Sequence, residues 1–331
     1  WNFIGGADGR NVEQETLELT REYARCERAG SAASGCAAIT AEFTAKREEA
    51  RIEVAELEQV SAVYGITVGL LQRALPGDSL TVERVTALVP TSDSLRVARE
   101  IYLQIAQSGV TADQLRATVD AVAEWQLPSG MVPWYPGGHA DPWNHTEALM
   151  ALMLGGHRAA AERGFDWLQS LQRPDGAWHQ YYLDDGVEED KLDANCVAYV
   201  AAGVWFHWLT YRDRGALEAM WPMVRDATDF VLALQQPRGE IIWARHADAT
   251  PFTFALLTGS SSICHSLRCS IAIAHELGHE RPNWELGASR LYRVIRDDPD
   301  AFAPKHRWAM DWYYPVLCGI VTGDSGRARL E

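Results

Sequence analysis

Lysine is nearly absent from this chain. Only Lys46, Lys191 and Lys305 occur, so almost all positive charge is arginine. Acidic residues outnumber basic ones and leave a net charge of −15. That balance argues against nucleic acid or an anionic membrane as partner, because both are met by basic surfaces. No apolar stretch reaches bilayer-spanning length, and the N-terminus lacks a basic segment followed by an apolar core. A cytoplasmic chain with no membrane span is expected. Cysteine is sparse as well: Cys26, Cys36, Cys196, Cys264, Cys269 and Cys318 form neither a CxxC pair nor a small disulfide scaffold. Cys26 and Cys36 flank a Gly/Ser/Ala-rich loop and could pair, but reduced thiols are the reading that suits a cytosolic protein. The first residue is Trp1 rather than Met, which reads as a processed or trimmed start.

Histidine is missing from residues 1–110, and tryptophan occurs there only at the first position; all ten histidines lie between His139 and His306. Such a shift marks a boundary near Gly109, giving an N-terminal helical region over 1–109 and a second domain over 110–331. Helices are predicted around 12–28, 38–61, 65–75, 80–88 and 93–107. The second of these carries an apolar stripe (Ile39, Phe43, Ile52, Val54, Leu57, Val60) on an otherwise charged segment, a face for docking, with a protein partner as one occupant. No catalytic motif stands in this region.

Beyond the boundary, one phrase occurs three times. Gln126, Pro128 and Gly130 precede Trp134; Gln172, Pro174 and Gly176 precede Trp178; Gln235, Pro237 and Gly239 precede Trp243. Each copy ends an apolar helical run, so the repeat implies stacked helix–turn–helix units, none of which can bury its apolar face alone. Helices near 144–155, 193–210, 260–278 and 309–321 are rich in small and aromatic residues. Those near 157–172, 215–235 and 283–296 are amphipathic. Helices buried all round and helices buried on one side form two concentric layers. The expected fold is all-α, an α/α toroid with an additional N-terminal helical region. A ring of six pairs needs more helices than residues 111–331 provide, so either the N-terminal helices complete it or the chain is cut short after Glu331.

The stretch from Arg163 to Trp178 resembles the QW motif of squalene–hopene and related terpene cyclases. Over residues 111–331 the chain is similar to an actinobacterial group of prenyltransferase or terpene-cyclase-like proteins. The matching segments run from Pro133 to His145, Thr258 to Ser262 and Arg307 to Pro315. The resemblance implies an α/α barrel acting on an isoprenoid-type substrate, a transferase or cyclase. The motif itself reads as structural: Gln caps the outer helix, Gly allows the tight turn and Trp packs back beneath it. The acidic Asp-x-Asp-Asp of class II cyclases is missing. Asp184, Asp185 and Glu188 have DDxxE spacing for magnesium, against a hairpin turn at Asp185-Gly186. Asp193, Cys196 and His265 imitate the zinc set of protein prenyltransferases, against a helix-capping aspartate and a core cysteine. His275, Glu276 and His279 match HExxH, the zinc metalloprotease signature, though Pro282 follows almost at once. No cofactor is assigned; magnesium and zinc remain alternatives.

In a toroid the inner helices' N-termini converge on one mouth. Asp141, Asn144, His145 and Glu147 would meet Asp193, Asn195, the serines Ser260 to Ser262, His265 and Asp311 there. Trp134, Trp143, Trp178, Tyr182, Trp243, Trp312 and Tyr313 would line it as substrate contacts. Candidate catalytic residues are the acids Asp141, Glu147, Asp193 and Asp311, with His145 and His265 as orienting groups or bases. Capping accounts for each polar group singly: Asn144 to Glu147 reads as a capping box, Asp193 as a cap, and the serines as caps of the next helix. An aromatic cavity with several acids can cradle an isoprenoid carbocation or stack sugar rings between carboxylates. The small-molecule partner is therefore apolar or a carbohydrate. The main expectation is a prenyltransferase or terpene-cyclase-like enzyme. The alternatives are a glycoside-acting (α/α) barrel enzyme, a zinc metalloprotease and a non-catalytic scaffold.

Overall fold

Two kinds of burial sort the helices into two layers. The computed structural model describes residues 19, 22–23, 25–26, 35–48, 112–305 and 310–330; the expected boundary near Gly109 and the helices expected over 65–107 lie outside these. The helices of the second region are α1 (Ala112–Trp125), α2 (Pro142–Leu154), α3 (Arg158–Leu171), α4 (Ala194–Tyr211) and α5 (Arg214–Ala233). They continue as α6 (Leu257–Leu277), α7 (Pro282–Asp297), α8 (Met310–Leu317) and α9 (Gly323–Leu330). Even-numbered helices pack on one another in succession, α2 on α4, α4 on α6 and α6 on α8, and each odd-numbered helix lies against them. In α4 nearly every residue from Ala194 to Trp208 is buried, as is nearly every residue of α6 from Ser260 to Ala274. In α3 and α5 burial follows one stripe, the amphipathic pattern of a surface helix. The architecture is an α/α toroid, as the periodicity implies.

The repeated phrase joins one outer helix to the next. Gln126, at the end of α1, donates its side-chain N–H groups to the carbonyls of Gly130 and of Ala160 in α3, at 2.9 and 2.8 Å. Gln172 does the same to Gly176 and to Met223 in α5, and Gln235 to Gly239 and to Gly287 in α7, all at 2.9 Å. The three glycines have φ of +98°, +87° and +117°. A Cβ on them would come within 2.3, 2.2 and 2.8 Å of the backbone oxygens of Arg163, Asp226 and Arg290, on those same neighbouring helices. The glycine therefore serves the close approach of two outer units as much as the turn. The expected role of tryptophan holds in one copy: Trp178 is buried and donates to the Leu168 carbonyl. Trp134 is exposed and Trp243 half-buried, because two more residues separate each from its glycine.

The two ends of the ring differ. At one end, inner helices pass to outer ones through short turns closed by Gly156, Arg212 and Gly278, all with positive φ. At the other, the segments preceding the inner helices are long and laced together by short strands. Strands β1 (Tyr181–Leu183) and β2 (Gly186–Glu189) form a hairpin, and β3 (Leu192–Asp193) pairs with β4 (Ala244–Arg245). Single bridges join Ala140 to Tyr182 and Ala255 to Phe302. Ala140–Tyr182, Asp193–Ala244 and Ala255–Phe302 thus link each pre-helix segment to its successor around the rim.

A helix over 36–48 lies on the first turn of α7. Leu19, Phe43 and Leu286 cluster, Tyr23 stacks on Phe43, and Arg47 Nε pairs with Glu285 at 2.6 Å. The apolar stripe expected to dock a partner therefore faces the ring itself over 36–48; its continuation over 49–61 lies outside the described residues. Cys26 and Cys36 form a disulfide, correcting the expectation of reduced thiols at those two positions. Their short separation makes loop closure cheap. The four cysteines of the ring are free and buried. No helix among the described residues is long and apolar enough to cross a membrane.

Gly137 also has a positive φ, +79°, but nothing lies within 4 Å of a Cβ built there. Gly176→Ala must meet both the backbone strain and the Asp226 carbonyl, whereas Gly137→Ala meets the strain alone. Urea unfolding should show a loss of about 1–2 kcal/mol for Gly137→Ala and about 3 kcal/mol or more for Gly176→Ala. Equal losses would mean that the outer units are not held in van der Waals contact at the turn.

Candidate functional site

The rim end gathers the acids. Asp141 is the N-cap of α2, three residues earlier than the capping box expected from Asn144. Its Oδ1 accepts the backbone N–H groups of Trp143 and Asn144, and its Oδ2 accepts from Trp134 Nε1 at 2.6 Å and Asn144 Nδ2 at 2.8 Å. Asp193 caps α4 as expected, accepting from the N–H groups of Asn195 and Cys196. It is buried, and desolvation raises its carboxyl above the usual range, offset in part by those backbone donors and the Trp243 indole. Cys196 Sγ stands 3.9 Å from Asp141 Oδ1, so the two caps are near neighbours. Asp311, in the first turn of α8, accepts from the Thr258 hydroxyl of α6.

Glu147 is different in kind. It lies beyond the capping turn of α2, is solvent-exposed, and accepts from the Tyr199 hydroxyl of α4 at 3.3 Å. Desolvation by the surrounding protein raises its carboxyl, and the nearby charge of Asp141 adds to the effect. Exposure together with desolvation marks a side chain on a concave wall. Trp143 closes the same space, meeting Tyr199 edge-on at 5.5 Å and Tyr314 of α8 at 6.4 Å between ring centres. The first and last inner helices of the described arc thereby face each other. Tyr199 was not among the residues singled out from sequence. Its signal was available, since it stands four residues after Asn195 and so shares the rim-facing side of α4.

Several expected site residues lie elsewhere. His145 is fully buried, its Nδ1 accepting from the Val132 N–H and its Nε2 donating to the Gly164 carbonyl, both at 3.1 Å. Burial pulls it down to about 4, so it is a neutral core tie and not an orienting base. His265 is buried as well, pulled down to about 3, with Cys269 Sγ 3.6 Å from its Nε2. Trp178 and Tyr182 belong to the core, the Tyr182 hydroxyl accepting from the His179 N–H. Trp134, Trp143, Trp243, Trp312 and Tyr313 remain at least partly open. The serine triplet is not a cap: α6 starts at Leu257, and Ser261 donates back to the Leu257 carbonyl.

The metal motifs do not assemble. Gly278 ends α6 in the left-handed conformation before His279, so the two histidines of HExxH do not share a helical turn. His275 pairs with Glu285, and His279 stacks on Trp221. Asp193 is engaged as a cap, while Cys196 faces Asp141 and His265 faces Cys269. Asp184 and Asp185 form the tip of the β1–β2 hairpin, and Glu188 pairs with His139 at 2.7 Å. Among the described residues no group of three or more His, Cys, Asp or Glu could hold a metal ion.

No family model matches the chain. Over 222 residues it is 47% identical to an MMP endo-(1,4)-3-O-methyl-alpha-D-mannosidase of Mycolicibacterium hassiacum, a match of 67% of this chain and 62% of that protein. The matched part thus spans less than two thirds of the relative's length. A match of that size cannot avoid the middle of the chain, where Asp141, Glu147 and Asp193 stand. Among solved structures, an uncharacterized conserved protein from Thermus thermophilus aligns with a TM-score of 0.50 at 14% identity, covering 65% of this chain and 74% of that one. An unsaturated glucuronyl hydrolase from a streptococcus aligns with a TM-score of 0.47 at 12% identity, covering 76% and 72%.

The mannosidase relative overturns the expected kinship with prenyltransferases and terpene cyclases, and with it the isoprenoid-type substrate and the transferase chemistry. The physical reason lies in what the Gln–Gly phrase does. It bonds one outer helix to the next, a need of α/α stacking that carries no information about the reaction. The name QW motif, taken over from the cyclases, is dropped for the same reason.

The Tyr199 hydroxyl favours the charged form of Glu147. Tyr199→Phe should therefore raise the Glu147 carboxyl further above its already elevated position. Carboxyl-carbon NMR titration of the wild type and the variant reads this directly. An unchanged or lowered midpoint would show that the hydroxyl does not serve that carboxylate.

Proposed function

We propose that the chain is a glycoside hydrolase acting within 1,4-linked α-mannoside chains, with 3-O-methylated mannose as a substrate unit. The observation that carries this reading is the 47% identity over 222 residues to an endo-acting 3-O-methyl-mannosidase. The rim supplies a chemistry consistent with it. Hydrolysis of a glycosidic bond uses a protonated carboxyl to deliver a proton to the leaving oxygen and a charged carboxylate to activate water or attack the sugar. Glu147 suits the first role, because it is open to solvent and holds its proton to higher pH than an ordinary glutamate. Asp141 suits the second. It is buried at the start of α2, an acceptor held by four N–H groups, with its Oδ2 bonded to the rim residues Trp134 and Asn144, and its charge is felt at Glu147. Trp134, Trp143, Trp243, Tyr199 and Tyr314 offer faces on which pyranose rings stack. Asp193, closed in beneath the rim, and Asp311, tied to Thr258, serve as positioning groups in this reading.

Incubation with 1,4-linked α-manno-oligosaccharides, plain and 3-O-methylated, followed by mass spectrometry of the products, tests the proposal. The wild type should cut internal linkages. Glu147→Gln should lower kcat by about 10²- to 10⁴-fold with little change in KM, and Asp141→Asn should also lose most activity. The alkaline limb of the wild-type profile should fall where Glu147 loses its proton, and Tyr199→Phe should move that limb to higher pH. Full activity in Glu147→Gln would remove it as the acid. Failure to cut any mannoside would sink the substrate class.

A further inference from the structure

A small cleft lies between the N-terminal ends of α4 and α6, on the same rim as Glu147. It is bounded by Asn195, Ile241, Trp243, Leu256, Ser260 and Ile263, and its cavity volume of about 10 Å³ is the room of one water-sized group. Most of this lining is apolar. Two of its polar atoms have no hydrogen-bond partner: Asn195 Oδ1 and Ser260 Oγ. Both side chains are more than nine-tenths buried, at 7% and 1% exposure. Other polar groups of the two helices nearby have partners. Asn195 donates its backbone N–H to Asp193, Ser260 donates its own to the Leu256 carbonyl, and Ser261 and Ser266 donate their hydroxyls back along α6.

Buried polar atoms are almost always paired, and leaving one unpaired is costly. Two such atoms in one cleft define what fills it. Asn195 Oδ1 only accepts, so the occupant must donate; the Ser260 hydroxyl can donate or accept, and its proton is used only by an occupant that also accepts. A hydroxyl does both with one atom. An anion would leave the Asn195 oxygen unsatisfied. A cation would leave the Ser260 proton unused and would meet three aliphatic walls. An ether oxygen, including a methoxyl, could accept from Ser260 but could not donate to Asn195.

We infer that this cleft is a subsite for one free hydroxyl of the glycan, which donates to Asn195 Oδ1 and accepts from the Ser260 hydroxyl while the sugar ring lies against Trp243. The inference rests on the glycoside-acting reading and deepens it. It assigns to Asn195 and Ser260 the task of selecting an unmethylated hydroxyl at this position, whatever substituents other positions tolerate. Trp243 is already steadied for such a role: it stacks on Phe254 at 5.3 Å and carries Lys191 Nζ over its ring at 4.4 Å.

Gly259 provides a variant that tests the cleft without threatening the fold. It stands in the first turn of α6, and a Cβ there would meet Asn195 Cβ at 3.7 Å and Leu256 Cβ at 3.9 Å, ordinary contact distances. Gly259→Ala therefore narrows the cleft with one methyl group, and alanine is the better helix former. Ser260→Ala removes one hydroxyl partner and also the cost of burying it unpaired. Both variants should fold with unfolding midpoints at or above that of the wild type.

The experiment measures Kd by calorimetry for 1,4-linked α-mannotetraose and for its 2-deoxy, 6-deoxy and 6-O-methyl forms. The background is Glu147→Gln, alone and combined with Ser260→Ala or Gly259→Ala. One of the modified sugars should bind about tenfold more weakly than the parent. Ser260→Ala should weaken the parent by a similar factor and abolish the discrimination against that one sugar only, and Gly259→Ala should weaken every sugar that carries the hydroxyl. If mannotetraose binds but neither rim variant changes its Kd, the cleft holds a structural water only and the inference falls while the glycoside reading stands. If no mannoside binds the Glu147→Gln protein, the glycoside reading fails and the subsite fails with it.

Discussion

The ring depends on one amide group used three times. A glutamine at the end of an outer helix gives one N–H to the carbonyl of its own turn and the other to a carbonyl on the next outer helix. Most side-chain hydrogen bonds tie a residue to its own neighbourhood, whereas these tie one repeat to the next. The second carbonyl would otherwise be bonded only within its helix, so the glutamine uses its spare lone pair. Because the adjoining glycine admits that helix's backbone to contact distance, bond and close approach are one device. It sets the spacing of the outer layer, and the inner helices, joined to the outer ones by short turns at the opposite end, take their places from it.

A second constraint follows at the rim. Inner helices that start side by side leave their N-terminal N–H groups facing one space, and those groups need acceptors. Asp141 and Asp193 answer by capping α2 and α4, each with two backbone donors. The carboxylates at this mouth are therefore partly structural, as capping alone would have it. The rim segments are also stitched by bridges of one or two residues, so the acids and indoles stand on a belt and not on separate loops. Asp141 makes the connection explicit: one of its oxygens holds the helix, and the other holds Trp134.

Much of the fold was legible in the chain, and the reasons are physical. Burial all round or on one stripe leaves a strong 3.6-residue signature, so the helices over 142–297 fall within about three residues of expectation. The rim belt was not legible, because a two-residue strand has no period to detect. His145 and His265 were selected for standing near helix starts, yet side-chain direction around a helix turns by about 100° per residue, and both point into the core. HExxH failed on a single backbone fact, the left-handed Gly278 between Glu276 and His279. The reaction class was misread because the most recognisable phrase in the chain serves stacking. The cleft at Asn195 and Ser260 could not be seen at all in sequence, since it is defined by bonds that are not made.

Position along the helices also separates the acids. Asp141 and Asp193 occupy N-caps and Asp311 a first turn, where backbone N–H groups and the positive end of the helix dipole compensate a negative charge. Glu147 stands a turn further in, past the free N–H groups, with side-chain donors alone, the Tyr199 hydroxyl and the Trp143 indole. Burial acts on Asp193 as well, but its carboxylate is taken up beneath the rim by the N–H groups of Asn195 and Cys196 and by the Trp243 indole. Of the two rim acids raised by burial, Asp193 and Glu147, it is Glu147 that also has an open face. A single helix thus presents two carboxylates of opposite character: one fixed as an acceptor by the helix start, the other left to hold a proton because it lies beyond it. That asymmetry is what acid–base cleavage of a glycosidic bond requires, and here it arises from where two residues fall along α2.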